Sequence, residues 1–310
     1  MGDPINLLGV GNYGDALPQK QIESNFVAFF DWGFLEAGAF QNHTIPGSGF
    51  YGGTFHSLRQ ASDDGTQWRG SRQNWVWESG LAYSQYQPIG ISGVYVNSVF
   101  YPNQGVGPSG YAVDYPNGTL TFNAAQSGTV ELNYSTKHVY VNTLEANPVY
   151  KSLVFNSNKT DSSGYEVRGS GQYDTPPENR VQLPALLVKC MPRDTQKGLQ
   201  LGGGQIVYHP IHFYVVAENS NDLSQITDAV MNQAERVIKL FDNNKITYPT
   251  LSFDGDITPT TICYPDMLAS GTMYRKIRLK KSKRYMYNSE QNLYQAIVII
   301  DSEMDMPEIT

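Results

Sequence analysis

Hydrophobic positions spaced three or four apart begin just after Pro18. Ile22, Phe26, Phe29, Phe30 and Phe34 form one stripe that crosses Gly33 and fades at Gly38, which predicts a helix ending there. From Gln41 to Asp64 the chain is rich in Gly, Ser and Thr and reads as loop with short extended pieces. The pattern then turns to period two. Gly93-Val-Tyr-Val, Asn97-Ser98 and Val99-Phe-Tyr predict a hairpin with a two-residue turn. Tyr111–Asp114 and Thr119–Phe122 flank Tyr115-Pro116-Asn117-Gly118, whose Pro and Gly supply turn geometry. Thr129 to Tyr134 and the alternating Val139 and Val141 complete a small, half-buried antiparallel meander.

Asn156 to Arg180 is poor in apolar residues and contains Pro176-Pro177, so it reads as a linker or an arm that orders on a partner. Beyond it lie a short apolar run, Leu183 to Met191, and an extended run, Gln205 to Glu218. Asn221-Asp222 then offers an N-cap to a helix with Leu223, Ile226, Val230, Ala234, Val237 and Phe241 on one face, closed by Asn243-Asn244. Lys276 to Tyr287 and Leu293 to Ile300 are the last strands. The expected fold class is α+β and β-dominant, an antiparallel meander plus an α+β domain with a long helix on a mostly antiparallel sheet. The expected organisation is 1–88, a helix and Trp-rich region; 89–155, β; 156–180, linker or arm; and 181–310, α+β.

Composition narrows the class. The 310 residues are 40% apolar and only 16% charged, with 21 Tyr and 13 Phe against 4 Trp, a bias that suits β surfaces and protein contacts. The apolar runs are too short to cross a membrane, and the start lacks the basic and apolar regions of a signal peptide, so the four sequons at Asn42, Asn117, Asn133 and Asn158 read as chance matches. Cys190 and Cys263 lie in apolar sequence, which suits a reducing compartment. The net charge of −7 argues against a general nucleic-acid binder.

Candidate chemistry mostly fails on context. Gly9-Val-Gly-Asn-Tyr-Gly14 matches a dinucleotide pattern, but only eight residues precede it and Pro18 follows closely. Gly202-Gly203-Gly204 lacks the Lys-Ser/Thr of a P-loop. His209 and His212 fall on opposite faces of a strand, and Asp254-Gly-Asp256 lacks the further ligands of a calcium loop. Paired carboxylates cannot be nominated from spacing alone. The expectation is therefore a protein that is not an enzyme, with no cofactor and no bound metal. Trp68, Trp75 and Trp77 read as a packed corner, with Arg69 or Arg72 as candidate cation–π partners.

Charge singles out one segment. Arg275, Lys276, Arg278, Lys280, Lys281, Lys283 and Arg284 are seven of the 22 basic residues, and no acid interrupts them. The remainder of the chain has 15 basic against 29 acidic residues. Two readings stand: a solvated strand edge protected by Lys and Arg, or an electrostatic contact with an acidic neighbouring subunit or a nucleic-acid backbone. No acid faces the segment along Leu293 to Ile300, so compensation within the hairpin is expected to be scarce.

Residues 93–122, Gly-Val-Tyr-Val-Asn-Ser-Val-Phe-Tyr-Pro through Tyr-Ala-Val-Asp-Tyr-Pro-Asn-Gly-Thr-Leu-Thr-Phe, resemble a stretch of virion structural proteins of tailed bacteriophages, particularly marine and cyanobacterial ones. Residues 183–241, with Leu-Pro-Ala-Leu-Leu-Val, Leu-Gly-Gly-Gly and His-Phe-Tyr-Val-Val-Ala-Glu-Asn before the helix, resemble the same class. That second stretch is similar in layout to tail-terminator and neck subunits, in which a strand ending in Ala-Glu runs into an amphipathic helix on a sheet. The resemblance implies a virion structural subunit of the head-to-tail interface, in a neck, collar or tail-terminator ring assembled in the host cytoplasm. It implies as partners other copies of itself in a six- or twelve-fold ring, adjoining connector, portal-side or tail proteins, and genomic DNA near the lumen, with no membrane. The alternative is a phage fibre, whisker or glycan-binding module, with the three clustered Trp as suspects; the absence of internal repeats weighs against a fibre.

Overall fold

The computed structural model describes residues 18–46, 56–78, 81, 87–102, 110–145, 182–192, 195–198, 205–246, 264–269, 273–288 and 293–306. Within them the protein is α+β and β-dominant, with antiparallel sheets and few helices. The glycine-rich segments at 9–14 and 202–204, the 156–180 segment and Asp254-Gly-Asp256 lie outside the described residues. Among the described residues no helix is long and apolar enough to cross a membrane.

Helix α1 (Pro18–Glu36) follows the phenylalanine stripe and stops before Gly38, whose φ of 85° takes the left-handed turn that glycine tolerates best. It is buried on more than its apolar side. Its amides pair with backbone elsewhere: Asn25 accepts from Phe241 N at 2.7 Å and donates to Phe241 O at 3.0 Å, and Gln21 Oε1 accepts from Asn243 N at 2.8 Å. Buried polar side chains on a helix are tolerable because these partners satisfy them.

Strands β1 (Phe40–His43), β2 (Arg59–Gln60), β3 (Gln67–Arg69), β4 (Val94–Val96), β5 (Val99–Tyr101), β6 (Tyr111–Asp114), β7 (Thr119–Phe122), β8 (Val130–Leu132) and β9 (Tyr134–Lys137) form three small sheets, β1-β9, β2-β3-β7-β6 and β5-β4-β8. Their shared core centres on Trp75, Leu120, Leu132 and Tyr134. The Asn97-Ser98 turn has φ of 51° and 66°, as a two-residue type I′ hairpin requires. Asn97 suits it further, because its side chain accepts from Thr129 N and donates to Ser127 O. The expected single strand over 129–134 is two strands. The chain breaks at Asn133, whose Oδ1 accepts from Ile45 N at 2.8 Å, so β8 joins β4 while β9 joins β1.

β10 (Tyr140–Thr143) was expected to close the antiparallel meander. It pairs instead, in parallel, with β11 (Ala185–Cys190), at the edge of a seven-stranded sheet. The other members are β12 (Thr195–Gly198), β13 (Gln205–Ala217), β14 (Val237–Phe241), β15 (Met273–Asn288) and β16 (Tyr294–Met306), in the order β10-β11-β13-β16-β15-β14 with β12 beside β13. Helix α2 (Ser220–Met231) is capped by Asn219, which accepts from Asp222 N, two residues before the expected Asn221. It also ends earlier. Glu235 sits at φ 65°, and Val237 and Phe241 belong to β14, where the β-branched Val237-Ile238 pair fits a strand better than a helix. Helix α3 (Tyr264–Ala269) packs on Phe241 and Ala28.

One large core lies between the helices and the inner face of this sheet. Phe26 and Phe30 of α1 meet Phe213 of β13 edge-on at 5.7 and 5.3 Å between ring centres, and Leu223, Ile226 and Val230 of α2 join them. Residues from three of the expected segments meet here: α1, β10 and the strands after 181.

Candidate functional site

Strict alternation divides the seven-stranded sheet into two faces. Ile211, Phe213, Val298, Ile300, Ile277 and Leu279 point inward and are fully buried. Their neighbours point outward, away from the three described helices. On β14 and β15 this outer face is cationic, with Lys239, Lys276, Arg278, Lys280 and Lys283. On β16 and β13 it continues through the half-buried Ile297 and Ile299 to His212 and Tyr214, which stand opposite them in register. A basic strip thus borders an aliphatic and aromatic one. Burial lowers the pKa of His212 and the Asp301 carboxylate partly offsets this.

The seven basic residues singled out by sequence do not act as one patch. Arg275 faces inward, its guanidinium 5.0 Å from the Tyr274 ring centre and donating to Asp305 O at 3.1 Å. Lys280 reaches Glu303 at 2.8 Å and Arg278 reaches the same carboxylate at 3.7 Å. Arg284 extends to Asp228 of α2 at 3.7 Å. The expectation of scarce compensation in the hairpin is therefore corrected, because β16 runs on past Ile300 and brings Asp301, Glu303 and Asp305 alongside β15. Lys276, Lys281 and Lys283 are exposed and have no acidic partner among the described residues. Sequence reasoning missed Lys239, which stands directly across from Lys276 in the β14–β15 ladder. Like charges directly opposite one another destabilise a sheet.

On the helix side, α1 and α2 flank a cavity of about 680 Å³ lined by Phe29, Phe30 and Phe34, with Asp222, Gln225, Gln233 and Arg236 among its polar walls. His138 Nε2 and Asp222 Oδ1, both in its lining, lie 3.6 Å apart.

A second charged constellation is buried. Lys137, the last residue of β9, places its ammonium on Asp31 Oδ2 of α1 at 2.6 Å and on Glu78 Oε1, with the Trp77 ring centre 3.3 Å away. The three side chains are 1%, 8% and 7% exposed. Burial, reinforced by the neighbouring Asp31, holds the Glu78 carboxyl well above the ordinary range even against the attraction of Lys137. Nothing in local spacing flags these residues; Asp31 and Lys137 are 106 positions apart. The cation over Trp77 is thus Lys137 rather than Arg69 or Arg72. Trp68 and Trp75 are buried, donating to Gly65 O and Arg72 O, so neither offers a flat face to a sugar ring.

His43 is buried too, stacked on Tyr134 and 3.0 Å from Thr136 Oγ1; burial, aided by Arg72, lowers its pKa to about 4. His209 faces the inner side of β13, its Nδ1 3.2 Å from Met191 O, and His212 the outer, so the two rings do not converge. Among the described residues no group of three or more His, Cys, Asp or Glu side chains is placed to hold a metal ion. No protein-family model matches this chain, and no curated protein matches it in sequence.

Proposed function

We propose that this chain is a structural subunit of a tailed-phage virion, part of a neck, collar or tail-terminator ring at the head-to-tail interface, and that it assembles through the cationic outer face of β14 and β15. The observation that supports this reading is the Lys239–Lys276 pair, two exposed lysines directly across the β14–β15 ladder from each other with no acidic partner among the described residues. In the isolated chain that pair costs about 0.2–1 kcal/mol. An acidic surface of a neighbouring copy or adjoining ring turns the same pair into an attraction. The adjacent Ile297–Ile299 strip supplies the apolar area that charge alone does not. The resemblance of residues 183–241 to tail-terminator and neck subunits supports the same reading, since β13 ends at Ala217 and the chain passes through Glu218 and Asn219 into α2, which packs on the sheet. Such a subunit meets further copies of itself in a six- or twelve-fold ring and adjoining connector, portal-side or tail proteins, with genomic DNA passing near its lumen.

The two effects have opposite signs in one substitution. Lys276→Gln is expected to leave the melting temperature of the dissociated chain unchanged or slightly raised, because a repulsion is removed. The same change is expected to weaken assembly several-fold and reduce its sensitivity to salt, as exposed pairs summed over symmetric copies would. Sedimentation velocity across ionic strengths reads both. Assembly that ignores the substitution at every salt concentration would mark the lysines as an ordinary solvated edge.

A further inference from the structure

The Lys137 site has more than an ion pair requires. A single ammonium sits between two carboxyl groups in a site nearly closed to water, and the indole face of Trp77 covers its remaining side. We propose that Lys137 and Asp31 condense into an intramolecular isopeptide bond, with Glu78 as the catalytic acid–base.

The geometry is that of a nucleophile held against its electrophile. Lys137 Nζ lies 2.6 Å from Asp31 Oδ2, which puts the Asp31 Cγ within roughly 3–3.5 Å, the range of a near-attack conformer. The short hydrogen bond gives the proton a direct path from Nζ to the Asp31 carboxylate, and that transfer leaves the amine and carboxylic acid that condensation needs. Glu78 touches Nζ, and the Asp31 carboxyl is near enough to raise its pKa, so Glu78 stands beside both reacting groups. Burial and the neighbouring Asp31 raise its pKa, which favours the protonated form that a proton donor to the Asp31 carbonyl oxygen needs.

The step balances without any co-reactant. The Nζ lone pair attacks Cγ as Glu78 protonates the carbonyl oxygen, and the resulting Glu78 carboxylate takes the extra proton from nitrogen. Glu78 then returns that proton to one of the two hydroxyls on Cγ, which departs as water, and recovers a proton as the other hydroxyl becomes the amide carbonyl. One C–N bond forms, one C–O bond breaks, one water is released and Glu78 ends as it began. Burial under Trp77 keeps water from reversing the reaction. The product ties α1, in the large core, to the end of β9, across 106 positions of chain.

The test is the mass of the chain, denatured after purification in the folded state. It is expected to be lighter than the sequence mass by one water, with a proteolytic map containing a branched peptide that joins Lys137 to Asp31. Lys137→Arg and Asp31→Ala should restore the full mass, and Glu78→Gln, which keeps both reacting groups, should slow bond formation at least tenfold after refolding. If Lys137→Arg fails to fold, the wild-type peptide map still decides. An unmodified mass after prolonged incubation of the folded chain would overturn the proposal, as would a water loss mapped to another carboxyl, Glu78 included.

Discussion

Phe213→Ala is expected to lower the free energy of unfolding by about 3–5 kcal/mol, the usual cost of truncating a fully buried phenylalanine. Phe213 is 0% exposed and sits at the centre of the inner face, between Val188 of β11 and Val298 of β16 in the two ladders. Two of its edge-on contacts reach Phe26 and Phe30, so the substitution also removes part of what holds α1 to the sheet. Aromatic pairs of this geometry contribute about 0.5–1.5 kcal/mol each beyond the area they bury. Phe213→Leu keeps most of the volume and should cost less than half as much. Urea unfolding measures both. A loss under about 1 kcal/mol for Phe213→Ala, below the range for such truncations, would mean that α1 does not depend on this face.

Removing Lys137 tests the other joint, with the natural chain compared while Lys137 and Asp31 are still an ion pair. Lys137→Met keeps an apolar stem of similar length and leaves Asp31 and Glu78 facing each other in a buried site, a situation that costs about 3–5 kcal/mol when one partner of a buried pair is lost. The pH dependence has a definite sign. A carboxyl whose folded pKa is raised binds more protons folded than unfolded, so its contribution is fully present below the unfolded value and is lost as pH rises through the folded one. Burial and Asp31 already raise Glu78, and loss of Lys137 removes the main influence lowering it. The deficit of Lys137→Met against the natural chain should therefore be large at neutral pH and shrink on acidification toward the ordinary carboxyl range. A triple change, Lys137→Met with Asp31→Asn and Glu78→Gln, should recover much of the loss. A deficit that grows on acidification would contradict the account of this site.

The sequence was most legible where local chemistry and tertiary packing agree. The Phe26–Phe30 stripe became α1 because the same face that predicts the helix meets the sheet, and Asn97-Ser98 became the hairpin turn because both residues reach positive φ with side-chain support. It misled where two periods fit one segment. Val237 and Phe241 continue the helical stripe of α2, yet pairing with β15 outweighs helix propensity and the chain turns at Glu235. β10 looked like one more meander strand because nothing in Val139 and Val141 encodes a parallel partner beyond residue 181. For the candidate surface, the basic run of β15 was visible as a run. Which of its members remain without a described acid was not, since Glu303 and Asp228 come to them through register and helix placement. The Lys137 cluster was invisible for the same reason, assembled from α1, β9 and the residues after Trp75.

Electron microscopy of the purified chain, over the concentration range in which it assembles, tests most directly whether it is a ring subunit. The expected result is a closed ring of six or twelve copies, joined head to tail, with the Lys239–Lys276 face of each β14–β15 pair against acidic side chains of a neighbouring copy or of an adjoining ring. A trimeric or elongated particle, a chain that stays monomeric at every concentration, or a ring whose cationic sheet faces are bare would contradict it.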